Sequence, residues 1–475
     1  MTHTKWMTAI VLSLALTPAW GDDWSRFRGP NGLGTTEATG LPTEFGPDKN
    51  VIWKTTLPPG YSSPVLSKDR IFLTAYEGET LLTLCLSRET GKILWRAESP
   101  RDREDKLDRR NSPASPSAAT DGKNVFVFFH DYGIVSYDYE GNERWRYPLG
   151  PFNNVYGMGA SPILAEDKVL LVCDQQTHSF VIALGKEDGK VHWKTDRPEA
   201  KSGHSTPILY HPEGGSTQLI VPGSFLLTGY SVDSGEKLWW VSGLSFEMKS
   251  TPVLANGTVY INGYATPMNQ PGKQIKVPSF EEALQQDADG DGRLTNDEVD
   301  ERTKPMFDFV DLNGDGFLDA EDWGFYRAAM ASTNGLLAIK VGGKGDMTDT
   351  NIVWQYHRAV PQLPSPLLYQ NVLYMVNDGG IVTTLKPESG EVIAQGRLKD
   401  AIDKYYASPV AADGKVYMAS EQGKVSVLKP DGSLEAIAVN DLGESCYATP
   451  AIGKEGRIYL RTVSTLYCFG TSAGQ

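Results

Sequence analysis

The sequence predicts an all-β protein, an eight-bladed β-propeller of four-stranded antiparallel blades with a small α-helical insertion in blade five. Three observations carry this. A dipeptide of Ser or Thr followed by Pro recurs eight times, at Ser63, Ser115, Ser161, Thr206, Thr251, Ser365, Ser408 and Thr449. Successive Pro separations of 52, 46, 45, 45, 114, 43 and 41 give one period of about 45 residues, interrupted once. Each dipeptide then opens the same succession of strand and turn signals. Finally, 48 Gly and 29 Pro in 475 residues favour many turns over long helices.

The strands follow in order within each period. Ser408 to Ser420 reads as an apolar run, an Asp413-Gly414 turn and a β-branched and aromatic run, which is a hairpin. A third run follows, such as 423–428 or 180–184. A Gly-centred turn then leads into a strand that often ends in Trp, as in 89–95, 140–145, 187–193 and 233–239. A four-stranded sheet cannot bury both faces alone, so such units stack radially and shield one another's edges. The repeat Trp residues are expected to pack between blades, with Ala394 and Ile437 near that position in repeats six and seven. The last repeat runs out at 467–469 without a fourth strand, while Val51 to Lys54 has that strand's character. Ring closure by this N-terminal strand is therefore expected.

Residues 1–21 read as a signal peptide, with Lys5 in the basic region, an apolar run from Met7 to Leu16, and Ala19 and Gly21 at the cleavage positions before Asp22. The apolar run is about half of what spans a bilayer. No Cys follows it to carry a lipid. An exported protein is expected, periplasmic or extracellular and soluble, with no integral membrane segment after cleavage. The boundaries expected are 22–50 leader, 51–266 blades one to five (first part), 267–331 insertion, 332–470 the remaining blades and 471–475 tail. The balance of 45 basic against 59 acidic residues has the wrong sign for a nucleic-acid partner. Cys85, Cys173, Cys446 and Cys468 lie far apart, without the spacing of a zinc or haem site. Disulfides and free buried thiols both stay open.

The insertion holds most of the acidity: 281–322 contains 15 acids against Arg293, Arg302 and Lys304. Within it, 287–298 fits the twelve-residue EF-hand loop. Calcium needs six to eight oxygens. Asp287, Asp289, Asp291, the Arg293 carbonyl, Thr295 and bidentate Glu298 can supply them, and Gly292 permits the turn. Leu294 is expected to pack between paired loops, and Ser279 with Glu282 forms a capping box ahead of the first loop. The second loop offers Asp311, Asn313, Asp315, the Phe317 carbonyl, Asp319 and Asp322, ending in Asp where Glu is usual. Its shorter carboxylate must bind through one oxygen, or the loop must contract.

On the propeller, ligand sites gather at the mouth of the central channel. Residues just before the dipeptides are rich in polar aromatics and cations: Tyr61, Tyr156, His204, Lys249, Tyr406 and Tyr447, with Met158, Met248 and Tyr405 beside them. Such a rim suits a protein or carbohydrate ligand. No catalytic constellation emerges: His130, His204 and His357 fall in different repeats without metal-ligand spacing. Residues 29–34 lack the Lys-Ser/Thr of a phosphate loop, and 101–110 reads as a solvated mixed-charge loop.

The turn-plus-Trp and Ser/Thr-Pro units resemble the PQQ-like (quinoprotein-type) β-propeller repeat. The segment 24–34 resembles the leader of its exported bacterial members. That resemblance implies the propeller fold and leaves three functions. The first is a non-enzymatic binding or scaffold protein, similar in architecture to the outer-membrane assembly propeller lipoprotein. The second is a PQQ-dependent dehydrogenase of alcohols or sugars, although the adjacent-cysteine pair of the alcohol-oxidising branch is lacking. The third is a calcium-dependent docking or assembly component, which an exposed apolar face near Trp323 and Phe325 would favour.

Overall fold

The computed structural model describes residues 24–101 and 103–471, so the segment read as a signal peptide lies outside the described residues. Eight separate antiparallel sheets form the blades. Blade one runs Val65–Ser67, Arg70–Glu77, Thr80–Ser87 and Ile93–Pro100. Middle strands such as Asn124–Phe129 are buried throughout, because a neighbouring blade covers each face. Outer strands such as Val51–Thr56 alternate in exposure, as a half-covered edge requires. The core therefore lies between blades. The ring closes as expected: Val51–Thr56 pairs antiparallel with Thr465–Phe469, and supplies the fourth strand of blade eight.

The repeat tryptophans act at the blade junctions. Trp145 lies on Gly189 in the next blade's turn, where a methyl group would come within 2.6 Å of the ring, and its Nε1 donates to the Lys186 carbonyl at 2.9 Å. Trp95, Trp193 and Trp354 repeat the arrangement on Gly141, Gly235 and Gly390. The closing strand's Trp53 does the same on Gly91. In blade seven the register puts Ala438, opposite Val427, and in blade six Ala394, opposite Thr384, where the other six blades carry Trp. Ile437, expected near that position, is its neighbour, and the connection ahead of it is one residue longer than in blade six: eleven positions separate Val427 from Ala438 against ten between Thr384 and Ala394.

The Ser/Thr of the dipeptides build a ring of hydrogen bonds around the channel. The backbone N–H of Ser63 donates to Ser117 Oγ, that of Ser117 to Ser161 Oγ, and that of Ser161 to Thr206 Oγ1, at 2.9, 2.9 and 3.0 Å. Past blade five the chain of donors runs Thr251 to Ser365, Ser408, Thr449 and back to Ser63. Blade two's member is thus Ser117 and not Ser115, whose own Ser-Pro pair is a sequence decoy two residues early.

The leader closes one end of the channel. The Ser25 carbonyl accepts from Thr120 of blade two, Asn31 exchanges two hydrogen bonds with Leu209 of blade four, and Gly34 accepts from Ala411 of blade seven. Residues 29–34, turn-rich in the sequence, form this plug.

The helical insertion leaves blade five between Thr258–Gly263 and Gly335–Lys340, which remain paired with Gly263 opposite Gly335. It contains α1 (Phe280–Ala283), α2 (Phe307–Val310) and α3 (Ala320–Ala331). The Ser279–Glu282 capping box is present. The insertion's core is shared with the propeller, since Phe246 packs edge-on to Phe309 and Phe325 at centroid distances of 5.2 and 5.0 Å. Trp323 and Phe325 are buried in that core, so no apolar face is exposed there.

Candidate functional site

The connections that enter the inner strands are held by the hydroxyl ring, and they carry their preceding side chains to one mouth of the channel. There they surround a cavity of about 480 Å³. All six rim residues expected to meet a ligand line it: Tyr61, Tyr156, His204, Lys249, Tyr406 and Tyr447. Met158, Met248 and Tyr405 do not, being buried within the blades. The floor is Phe27 of the leader, and one wall is the insertion, through Pro305, Met306, Phe309 and Met330.

The cavity has two unlike sides. Blades seven, eight and one contribute stacked rings: Tyr406 lies on Tyr447 at 5.7 Å and 6°, and Tyr447 on Tyr61 at 4.4 Å and 21°. The Tyr447 hydroxyl donates to Glu421 at 3.1 Å. Burial, then the nearby Glu421 carboxylate, pushes that phenol up to about 12. Blades three to five contribute Tyr156, His204 and a buried pair of Glu247 with Lys249. Burial alone would raise the Glu247 carboxyl, but Lys249 and His204 hold it at about 2.

Between the sides stands Arg110. Its guanidinium grips Asp108 through two hydrogen bonds of 2.6 and 3.1 Å and reaches Gln362 at 3.3 Å. Asp108 and Gln362 precede blades two and six, on opposite sides of the ring. The segment 101–110 is therefore no freely solvated loop: Arg101 also pairs with the buried Asp131 at 2.5 Å. Asp108, Arg110, Phe27, Glu247 and the insertion residues were missed by sequence reasoning. Glu247 precedes Thr251 by four positions and Arg110 precedes Ser115 by five, the spacing of Tyr156 before Ser161, so position could have flagged these two.

The two acidic loops match each other bond for bond. Asp287 accepts from the N–H of Gly290 and Gly292, as Asp311 does from Gly314 and Gly316. Gly292 and Gly316 sit at φ of +83° and +85°, which a side chain would strain. Leu294 and Leu318 exchange backbone hydrogen bonds of 3.1 and 2.8 Å and join the loops. Glu298 accepts from the N–H of Ala288 and of Thr295. Asp322 accepts from the equivalent N–H groups of Leu312 and Asp319, so the shorter acid makes the same two bonds. Burial pushes the Asp322 carboxyl up to about 6. The carboxylates of Asp287, Asp289 and Asp291 bring oxygens within 4.8 Å of one another. Asn313 and Asp315 follow in the second loop as Asp289 and Asp291 do in the first. The Arg293 guanidinium lies over the Phe317 ring at 3.8 Å. These hard oxygen donors suit a hard divalent cation.

All four cysteines are free and buried. No helix among the described residues is long and apolar enough to cross a membrane.

Known proteins place this architecture. No curated protein matches the sequence. BamB from Moraxella catarrhalis is similar in fold at 11% identity and a TM-score of 0.55, over 89% of this chain and 99% of that one. A europium-containing methanol dehydrogenase is similar at 10% identity and 0.54, over 95% and 98%. The computationally designed Ika8 protein follows at 9% and 0.53, over 92% and 99%. The sequence profile described as outer membrane protein assembly factor BamB matches residues 43–177, 83–299 and 332–475, and the stretch it skips lies inside the insertion. With that profile spanning most of its eight-bladed ring, the chain belongs to the outer membrane protein assembly factor BamB family.

Proposed function

We propose that this protein is an exported, non-enzymatic binding propeller whose funnel takes a protein or carbohydrate ligand and whose insertion binds calcium. The observation that carries the reading is the state of the funnel's charges. Both cations lining it are already matched, Arg110 by Asp108 and Lys249 by Glu247, while three tyrosine rings stand stacked beside them. A neutral, hydroxyl-rich or peptide surface can stack on such rings and exchange hydrogen bonds without stranding a charge.

The alternative is a PQQ-dependent dehydrogenase of alcohols or sugars. The donor set fits that cofactor poorly. A tricarboxylate quinone needs cations that are not already neutralised, and none of the four cysteines lines the funnel. The third reading, calcium-dependent docking through the face at Trp323 and Phe325, loses its surface because that face packs on Phe246 of the propeller.

In the insertion, Asp287, Asp289, Asp291, Glu298 and their counterparts Asp311, Asn313, Asp315 and Asp322 would hold calcium. Loops with a dissociation constant of about 10⁻⁴ M stay filled in millimolar calcium and add about 1.4 kcal/mol of stability per site.

Titration with PQQ in excess calcium, followed by tryptophan quenching and dye reduction, should show no saturation up to about 100 μM, a limit near −5.5 kcal/mol. Saturable one-to-one binding with turnover refutes the reading. A panel of neutral oligosaccharides and exported-protein peptides should yield a ligand whose affinity falls about tenfold in Tyr447→Ala. Chelation with EGTA should lower the melting temperature of the protein and leave that of Glu298→Gln, Asp322→Asn unchanged.

A further inference from the structure

Below Phe27, on the side of the leader away from the funnel, the channel contains two guanidinium groups that no carboxylate meets. Arg28 is fully buried and Arg26 nearly so. Each donates one hydrogen bond to a blade, Arg26 to the Pro207 carbonyl of blade four at 2.6 Å and Arg28 to the Pro366 carbonyl of blade six at 2.7 Å. Arg26 leaves Nε, and Arg28 leaves Nε and Nη1, buried without a partner. Arg461 in blade eight likewise meets no carboxylate and leaves Nε unpartnered, but both its terminal nitrogens are used, on Ser62, Thr74 and Pro58. Burial pulls the Arg26 and Arg28 guanidinium groups down to about 9. Arginine does not give up its proton inside proteins, so both remain cations. Two uncompensated buried charges cost several kcal/mol each.

The two arginines bracket one sector of the channel. Blades four and six flank blade five, and blade five presents Thr251 there. Thr251 Oγ1 is buried and has no hydrogen-bond partner, whereas Ser117, Ser161 and Thr206 accept from the preceding member of the ring. The compact turn 29–34 sets the spacing: a methyl group at Gly32 would lie 2.9 Å from Thr251 Cγ2 and 3.7 Å from Arg26 Nη2, and one at Gly34 would lie 2.9 Å from Arg28 Nη2. The leader's Arg26 and Arg28 thus anchor on the blades either side of Thr251, and all three keep buried polar groups without a partner.

We propose that this sector, in front of Thr251 and between Arg26 and Arg28, binds a small inorganic anion of halide or nitrate size. The anion supplies the counter-charge the leader brings none of, and it ties the plug to blades four, five and six.

Crystals of the purified protein grown with bromide in place of chloride test this directly. An anomalous peak within hydrogen-bond reach of both guanidinium groups and Thr251 Oγ1 is expected. Ordered water there, with no anomalous signal, overturns the proposal. In solution at constant ionic strength, chloride or nitrate should raise the melting temperature by about 2 °C over gluconate. The rise should vanish in Arg28→Met and persist in Arg96→Met, which alters exposed pairs with Glu77 and Glu98. An equal rise in both variants overturns the proposal. If Arg28→Met does not fold, the bromide crystal of the unaltered chain decides.

Discussion

Replacing Lys249 by Met should cost this protein more stability at neutral pH than at acid pH. In the unaltered protein the Glu247 carboxyl is held at about 2 against an ordinary 4.5. That displacement corresponds to about 3 kcal/mol of stability. A lowered carboxyl contributes fully above 4.5, and its contribution is lost as the pH falls toward 2. Groups facing the pair are His204, 3.7 Å from Glu247, the hydroxyl of Ser202 at 3.1 Å, and Tyr156 and Asp378 from neighbouring connections. Of these His204 also lowers the Glu247 carboxyl, and the substitution leaves that contribution in place. In Lys249→Met the buried carboxylate loses its counter-charge, which costs roughly 3–5 kcal/mol at neutral pH. Its carboxyl then rises from about 2, so the variant's deficit relative to the parent shrinks on acidification. Guanidinium unfolding at pH 4, 5.5 and 7 measures the difference. It should shrink steadily toward pH 4, and Glu247→Gln combined with Lys249→Met should recover most of the loss. A difference constant across that range would refute the electrostatic account and leave only lost packing.

Further outcomes follow from the junctions and the core. Trp145→Ala, which empties the seat on Gly189, should cost about 3–5 kcal/mol in denaturant unfolding. Ser117→Ala leaves the buried N–H of Ser63 unpaired and should cost about 1–3 kcal/mol by the same measurement. All four thiols should stay silent toward a thiol reagent until the protein unfolds, since burial pushes Cys85, Cys446 and Cys468 up to about 12 and Cys173 well above its ordinary value.

The parts legible in the sequence are those that each repeat specifies locally. Turn chemistry and strand alternation set the period, so the eight blades and the closing strand at Val51 could be read without any long-range contact. The six rim residues could be read for the same reason, as each precedes its dipeptide by a few positions. Contacts between distant segments left no such mark. The leader's Phe27 becomes a floor only because Arg26 and Arg28 anchor on blades four and six. Met306 and Phe309 become a wall only because the insertion docks on Phe246. Two positions shift for local reasons: Ser115-Pro116 copies the pattern that Ser117 performs, and a connection one residue longer than in blade six puts blade seven's Trp position at Ala438, beside Ile437.

The closing strand and the plug also bear on the order in which the chain can fold. Val51–Thr56 waits for Thr465–Phe469, and Arg28 and Asn31 wait for blades six and four, so the earliest described residues join partners made far later in the chain. Long loop closures are slow, and local meanders form ahead of them. Pulse-labelled hydrogen exchange should therefore find the strands of blades two and three protected before blade eight. Until that final closure the assembly is an open arc, with the two faces of a single seam exposed to any other unfinished copy nearby.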